Sequence, residues 1–362
     1  MGDLYKSYVR NCWYPVGLAA EFPTETLKGL TVCERPVVAW RTRHGDVVAF
    51  DDRCAHKRFP LSRGRLMPDG TLECAYHGLR YDMTGKCVMV PSQPNGPIPA
   101  SAATPQFPIT EKDGVVWIWP GDPTQTHLRK PPRVMEIGDA GWETEGIGPT
   151  EISASYFLNI ENVLDITHFY PLHDGNIGDL ENSSLPVELG EGEEDGNQYC
   201  GTIRRAKNYT QPSYYVDWFH HEVADRYHTH FMISPGACRV ELWNWPAGEE
   251  GNVEKKRGYV LFHLLYPVSP TKHVWRVSFN TPRGDTPRGT PDISTAKRIA
   301  AMFPDVAEQD RWAIENQQRM VEQPVEGYQE VYLKADLAVR RARKIWHDLL
   351  RDESGIHHAA AE

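Results

Sequence analysis

The chain has 362 residues, enough for two domains each with its own core, and 40% hydrophobic, 24% charged and 10% aromatic residues describe an ordinary globular protein. A formal net charge of −10 argues against nucleic acid or an anionic membrane surface as the main partner. No stretch approaches the roughly 18 apolar residues of a membrane-spanning helix, and the opening "MGDLYKSYVRNCWYPVG" lacks the basic-then-apolar layout of a secretory signal, so a cytoplasmic protein is expected.

In chain order, "TVCERPVVAWRTRHGDVVAF" (31–50) holds two apolar, β-branched runs joined by a polar segment with Gly45, a hairpin pattern. Strand-like text continues to "GVVWIWPG" (114–121), and "GDPTQTHLRKPPR" (121–133) reads as a linker without periodicity. The second part opens with "SYFLNIENVLDITHF" (155–169), apolar at helical spacing and stopped by Pro171. "CRVELWNW", "GYVLFHLLYPV" and "HVWRVSFN" then suggest an antiparallel sheet, followed by the helical patterns "ISTAKRIAAMF", "EQDRWAIENQQRMV" and "LKADLAVRRARKIWHDLL". The fold class expected is α+β: an all-β domain over 1–130, a domain with a central antiparallel sheet flanked by helices over 131–350, and a frayed tail over 351–362.

"CAHKRFPLSRGRLMPDGTLECAYHG" (54–78) pairs one cysteine with one histidine in each of two loops, Cys54-x-His56 and, seventeen residues on, Cys74-x-x-His77. Structural zinc sites usually draw both cysteines from one loop and the remaining ligands from another. Mixed loops suit a cluster whose two irons differ, one held by thiolates and one by imidazoles, as in a Rieske [2Fe–2S] centre. Neutral imidazole removes negative charge and raises the potential, so such a site accepts and passes single electrons. Arg53, Lys57, Arg58, Arg63, Arg65 and Arg80 fall in or beside these loops, a surface suited to steering an acidic donor protein. Cys12, Cys33, Cys87, Cys200 and Cys238 read as small buried hydrophobes, and the odd total of seven cysteines suggests no disulfide framework.

A second metal site is suggested by "NIENVLDITHFYPLHDG" (159–175), where His168 and His173 are five apart. On an uninterrupted helix they would diverge by about 140°; Pro171 is expected to break the helix and let His173 fold back. Two histidines and a carboxylate with open positions form the facial triad that binds ferrous iron. The carboxylate must come later, and "FPDVAEQDRWAIENQQ" (303–318) offers Asp305, Glu308, Asp310 and Glu315 on an expected helix, with nothing in composition to choose among them. Asn162, Asp165 and His168 are spaced three apart on the same expected helix.

"CAHKRFPLSRG" and "CAYHGLRYDMTGKC" closely resemble the Rieske domain of the terminal oxygenases in the Rieske non-haem iron family, and "NCWYPVG" is similar to the start of many of them. The resemblance covers nearly the whole chain and is greatest to the homotrimeric group that demethylates or hydroxylates single-ring aromatics, such as vanillate and dicamba O-demethylases. It implies Asp310 as the third iron ligand, with Glu308 in reserve because this chain reads Glu308-Gln309-Asp310 where a direct Glu-Asp is commoner. It implies that Asp165, in the family's Asp-x-x-His-x-x-x-x-His segment, bridges an iron-bound histidine to the Rieske histidine matching His77 in a neighbouring subunit. The cofactors implied are one [2Fe–2S] cluster and one Fe(II) per chain, with dioxygen as co-substrate.

The chain has no Gly-rich dinucleotide fingerprint after a strand, so electrons from NAD(P)H must arrive through a separate reductase, with or without a ferredoxin. The activity expected is oxidative O- or N-dealkylation, chiefly demethylation, of an aromatic compound. Ring hydroxylation is the alternative within the family, and a non-catalytic Rieske electron carrier is the alternative of another class. Leu158, Asn244, His263 and Trp275 are the expected pocket residues, and no Arg or Lys cluster in the sheet demands a dianion, which favours a neutral or mono-anionic aromatic.

Overall fold

The fold was analysed in a computed structural model that describes residues 4–174, 176–323 and 325–359. The chain divides into two compact units, Arg10–Pro131 and the segment from Pro132 onward joined by the residues before Arg10.

In the first unit the strands are β1 (Tyr14–Leu18), β2 (Lys28–Val32), β3 (Arg35–Arg41), β4 (Val47–Asp51), β5 (Arg65–Leu66), β6 (Leu72–Glu73), β7 (Arg80–Tyr81), β8 (Cys87–Met89), β9 (Ile109–Lys112) and β10 (Val115–Ile118). They form three small antiparallel sheets, β1-β10-β9, β2-β3-β4 and β5-β6-β7-β8. The hairpin expected around Gly45 is β3–β4. The apolar run before it is interrupted at Cys33 and Glu34, both at positive φ (51° and 63°), which turn β2 into β3. The sequence hides this turn because neither residue is glycine. The linker text holds a 3₁₀ turn, Pro123–Leu128, whose first turn is capped by the Asp122 carboxylate. Trp40, Phe50, Leu61, Leu72 and Tyr81 form a core that also buries Cys54 and Cys74.

The second unit is built on one seven-stranded antiparallel sheet. Its elements run β11 (Trp142–Ile152), α1 (Tyr156–Leu164), α2 (Phe169–Leu172), α3 (Leu180–Ser184), β12 (Glu188–Glu194), β13 (Asn197–Thr210), α4 (Ser213–Phe219), β14 (Val223–Ser234), β15 (Ala237–Pro246), β16 (Arg257–Ser269), β17 (Lys272–Pro282), α5 (Thr295–Val321) and α6 (Leu337–Ala359). The strand order is β11-β17-β16-β15-β14-β13-β12, so the three sequence-predicted runs are adjacent central strands. The first two of the three helical patterns after residue 292 are one continuous α5, with Ser294 capping its start and Pro304 inside it, and the third is α6. α6 carries helical backbone through Ala359, where a frayed tail was expected from residue 351; residues 360–362 lie outside the described residues.

One expected helix is two. α1 stops at Leu164, and Asp165 is extended (φ −96°, ψ 115°). Pro171 sits inside the short α2, in a first turn whose N–H groups lack intrahelical partners, so it breaks nothing. His168 and His173 flank the two ends of this single turn, with ring centroids 5.1 Å apart, and the break at Asp165 leaves Asn162 alone of the spaced trio on α1.

α1 is buried along eight of its nine positions, as its near-continuous apolar text requires. Trp346 of α6, fully buried, packs on Tyr156 and Phe157 of α1 with ring centroids 4.9 and 4.4 Å away. The residues before Arg10 add Tyr5, whose hydroxyl donates to Glu161 Oε2 at 2.9 Å and accepts from the Arg343 guanidinium at 2.6 Å. Trp346→Ala is therefore expected to lower unfolding free energy by about 3–5 kcal/mol, read as a fall in urea midpoint at unchanged slope.

Candidate functional site

The two Cys/His loops share one backbone plan. Cys54 N–H donates to the Phe59 carbonyl and Arg58 N–H returns to the Cys54 carbonyl, both at 2.9 Å. Cys74 N–H donates to Leu79 at 2.9 Å, and Gly78 N–H returns to Cys74 at 3.0 Å. The fourth residue after each cysteine has positive φ, 58° at Arg58 and 73° at Gly78. At Gly78 a Cβ would come within 2.8 Å of Pro91 Cγ, so glycine is required there for space as well. The cysteines end up buried and the histidines exposed, with His56 Nδ1 and His77 Nδ1 3.2 Å apart. Burial pushes the Cys74 thiol up and the adjacent Cys54 adds to this, opposed by the backbone N–H groups of Tyr76 and His77. Tyr81 oxygen accepts from Ala55 N–H at 3.0 Å and lies 3.1 Å from Cys54 Sγ, so its hydroxyl is placed to donate to a Cys54 thiolate.

Half of the basic rim is paired locally. Arg65 and Arg80 hold Glu73 at 2.6 and 2.8 Å, and Arg53 faces Asp51 at 3.6 Å. Lys57, Arg58 and Arg63 are exposed.

In the second unit His168, His173 and Asp310 converge, one donor atom from each lying within 4.8 Å of the others. Asp310 Oδ1 is 3.6 Å from His168 Nε2 and 3.3 Å from His173 Nε2. His173 Nδ1 lies 2.9 Å from Gln309 Oε1, an acceptor only, so the ring proton is on Nδ1 and Nε2 presents a lone pair. Nε2 thus faces the carboxylate oxygen, a place filled by a second ring proton, towards which Asp310 pushes His173 against the effect of burial, or by a metal cation. The donor set fits Fe(II). Burial raises the Asp310 carboxyl, but the facing imidazoles and the Asn162 amide, 3.1 Å away, outweigh it and hold it low. Burial lowers His168 and prevails there over Asp310 and Asp165.

α5 separates the four candidate acids by face. Asp305 is exposed, Glu308 is exposed and pairs with Arg311 at 2.7 Å, and Glu315 accepts from Ser153 N–H at 2.9 Å. Asp310, two residues from Glu308 and hence about 200° round the helix, is the buried one. Gln318 anchors the start of α1 by accepting from Ser155 N–H at 2.9 Å. Asp165 Oδ1 accepts from Thr167 N–H and Oγ1, and its Oδ2 is 4.0 Å from His168 Nδ1.

A cavity opens beside these residues between α1, α5 and the sheet, lined by Asn162, His168, Phe169, His173, Trp218, Val240, Leu261, His263, Phe279 and Asp310 among others. Of the expected pocket residues only His263 lines it. Trp275 stands behind His263, its indole N–H donating to Nδ1 at 3.0 Å, which leaves the proton of His263 on Nε2. Asn244 is fully buried and accepts from Arg226 Nε at 3.1 Å. Leu158, one helical turn before Asn162, is fully buried in the core. Sequence reading missed Gln309, whose only signal was the departure from a direct Glu-Asp. It also missed His228 and His230 in "YHTHF", alternating at strand spacing on the cavity side of β14.

Residues 12–108 match the family described as Rieske [2Fe-2S] domain, and residues 152–352 match the vanillate O-demethylase oxygenase C-terminal domain. The iron-sulfur subunit of the toluene-4-sulfonate monooxygenase system of Comamonas testosteroni is 28% identical, over 96% of this chain and 99% of its own. The oxygenase component of dicamba O-demethylase from Stenotrophomonas maltophilia is 38% identical over 47% of this chain and 49% of its own. The crystal structure of dicamba monooxygenase bound to dicamba superposes with a TM-score of 0.82 at 25% identity, covering 96% of this chain and 99% of that one. Among the described residues no helix is long and apolar enough to cross a membrane. With a Rieske domain followed by this C-terminal domain, the chain belongs to the Rieske oxygenases of the vanillate O-demethylase type, and is an oxidoreductase.

Proposed function

We propose that this protein is the terminal oxygenase of a multicomponent monooxygenase, taking electrons from a separate reductase, directly or through a ferredoxin, to demethylate an aromatic ether. The observation that carries the reading is the convergence of His168, His173 and Asp310 on an aromatic-lined cavity, in a chain that also holds the paired Cys/His loops. Cys54 and Cys74 would hold the inner iron of the cluster and His56 and His77 the outer one; His168, His173 and Asp310 would hold Fe(II). The cluster supplies single electrons and the ferrous iron supplies dioxygen activation.

The remaining work falls to the chain's own groups. Gln309 fixes the ring of His173, and Asn162 fixes the carboxylate of Asp310. Phe169, Leu261 and Phe279 exclude water and place an aromatic ring beside the metal ligands. Asp165 receives two bonds from Thr167 on one oxygen and faces His168 with the other, a position from which it senses the charge of that imidazole. In a trimer it would link His168 to His77 of a neighbouring copy. Exposed Lys57, Arg58 and Arg63 beside the cluster loops suit an acidic donor protein. One oxygen atom of O2 would enter an O-methyl C–H bond while the other leaves as water, consuming two electrons from the reductase and two protons, and the resulting hemiacetal collapses to a phenol and formaldehyde.

Purified protein supplied with a generic reductase and a panel of methoxylated aromatics is expected to release formaldehyde in step with phenol. Asp310→Ala should end that release and remove the iron that is additional to the cluster, leaving the cluster's visible spectrum unchanged; iron content no higher than the cluster pair in the parent protein would instead leave an electron carrier. Gln309→Leu should weaken retention of the mononuclear iron about 10- to 100-fold, measured by chelator competition. Tyr81→Phe removes a donor to Cys54 sulfur and should lower the cluster's midpoint potential by roughly 60 mV, the equivalent of a ~1.4 kcal/mol hydrogen bond, read by redox titration.

A further inference from the structure

The sheet adds a pair of histidines to the cavity that the proposed reaction leaves without a task. His228 and His230, alternate residues of β14, both line it while only 1% and 4% exposed. Their tautomers follow from their partners. His230 Nδ1 lies 2.6 Å from the Val163 carbonyl oxygen, which only accepts, so Nδ1 holds the proton and Nε2 keeps its lone pair. That lone pair faces His228 Nε2 at 2.9 Å, so His228 donates there. His228 Nδ1 is then the bare acceptor of a neutral ring, buried and with no hydrogen-bond partner among the described residues. Burial is the main cause of neutrality in both rings, pushing His230 down to about 3; the buried Arg204 lowers both, and Arg226 acts further on His228.

We propose that His228 is a specificity-determining residue, its Nδ1 accepting a hydrogen bond from a neutral donor on the substrate ring, a phenolic hydroxyl or a ring-borne N–H. The inference rests on the reading of this cavity as the substrate site. A carboxylate or sulfonate at that place would set lone pair against lone pair, and an ether without a donor would leave the acceptor unmet, at a penalty of roughly 5- to 150-fold in affinity. His230 and the Val163 carbonyl act as positioning groups, because they decide which nitrogen of His228 is bare.

The test is calorimetric titration of the holoenzyme with 2-methoxyphenol, 1,2-dimethoxybenzene and methoxybenzene. The phenol is expected to bind at least about tenfold tighter than either ether lacking the hydroxyl. His228→Gln keeps a donor near His230 but withdraws the acceptor from the Nδ1 position, and should bring the three ligands within about twofold of one another. His228→Asn, whose amide oxygen can occupy the Nδ1 position, should retain the preference. Equal binding of the three by the parent protein, no binding of 2-methoxyphenol, or an unchanged preference in His228→Gln would overturn the assignment. Formaldehyde release separates the two readings: preference without turnover removes demethylation and leaves His228 its role, whereas turnover without preference removes the role and leaves demethylation.

Discussion

A buried carboxylate facing two imidazoles organises the second unit. His173 Nε2 and Asp310 Oδ1 are 3.3 Å apart, and Gln309 has taken the proton of that imidazole to the far side of the ring. That pairing is satisfied by a second proton on the His173 ring, the direction in which Asp310 shifts it, or by a metal ion in the proton's place. The fold must bring these three side chains to one point from segments far apart in the chain. It does so with long-range tethers: α5 is tied to the start of α1 through Ser153–Glu315 and Ser155–Gln318, and α6 is pressed on α1 through Trp346. α1 thus behaves as a buried strut whose far end delivers the histidine segment, and the stability of the unit and the geometry of the metal site are one problem.

Residue chemistry made the two metal centres legible in the sequence, because thiolates, imidazoles and carboxylates are scarce and their spacing is constrained. Tertiary closeness was not legible. Nothing in "VLDITHFYP" says that the helix ends at Leu164 and that Pro171 is harmless. That outcome depends on Asp165 capping the next turn through Thr167, a choice of the backbone made in context. The aromatic and polar residues of the sheet were equally ambiguous. Strand alternation fixes which residues share a face, and His263 was found that way, but Trp275 supports His263 from behind and Asn244 holds the buried Arg226. The choice of Asp310 over Glu308 came from resemblance; the physical reason is helical phase, which places one in the core and the other beside Arg311.

The cluster loops show how a small repeated backbone device creates chemical asymmetry. Each loop closes the same pair of hydrogen bonds around its cysteine, yet the histidine comes two residues after Cys54 and three after Cys74. With both cysteines in the core and both imidazoles at the surface, the thiolate side is shielded and the imidazole side faces solvent. Electron exchange should then run through the histidine edge, where the rings are only 4.4 Å apart between centroids. The basic residues divide the same way: those clamped on Glu73 brace the loops, while Lys57, Arg58 and Arg63 keep their charge outward.

Electrostatics behind the cavity narrow its choice of ligand further. Arg204 and Arg226 are buried on the inward face of β13 and β14, with Asp165 the carboxylate acting on Arg204 and Asp179 the one acting on Arg226. Arg226 is sandwiched by Tyr209 and Tyr215, with ring centroids 4.3 and 4.2 Å away, and bonded to Gln211 and Asn244. Cation–π contacts and neutral amides spread its charge without cancelling it. The positive charge in this low-dielectric wall opposes any further positive charge nearby, which adds to burial in keeping the histidines of β14 neutral. The same field would oppose a protonated amine in the cavity. The wall that keeps His228 an acceptor therefore also rejects the strongest donors, ammonium groups, and leaves neutral hydroxyl and N–H donors as the ligands that satisfy both conditions.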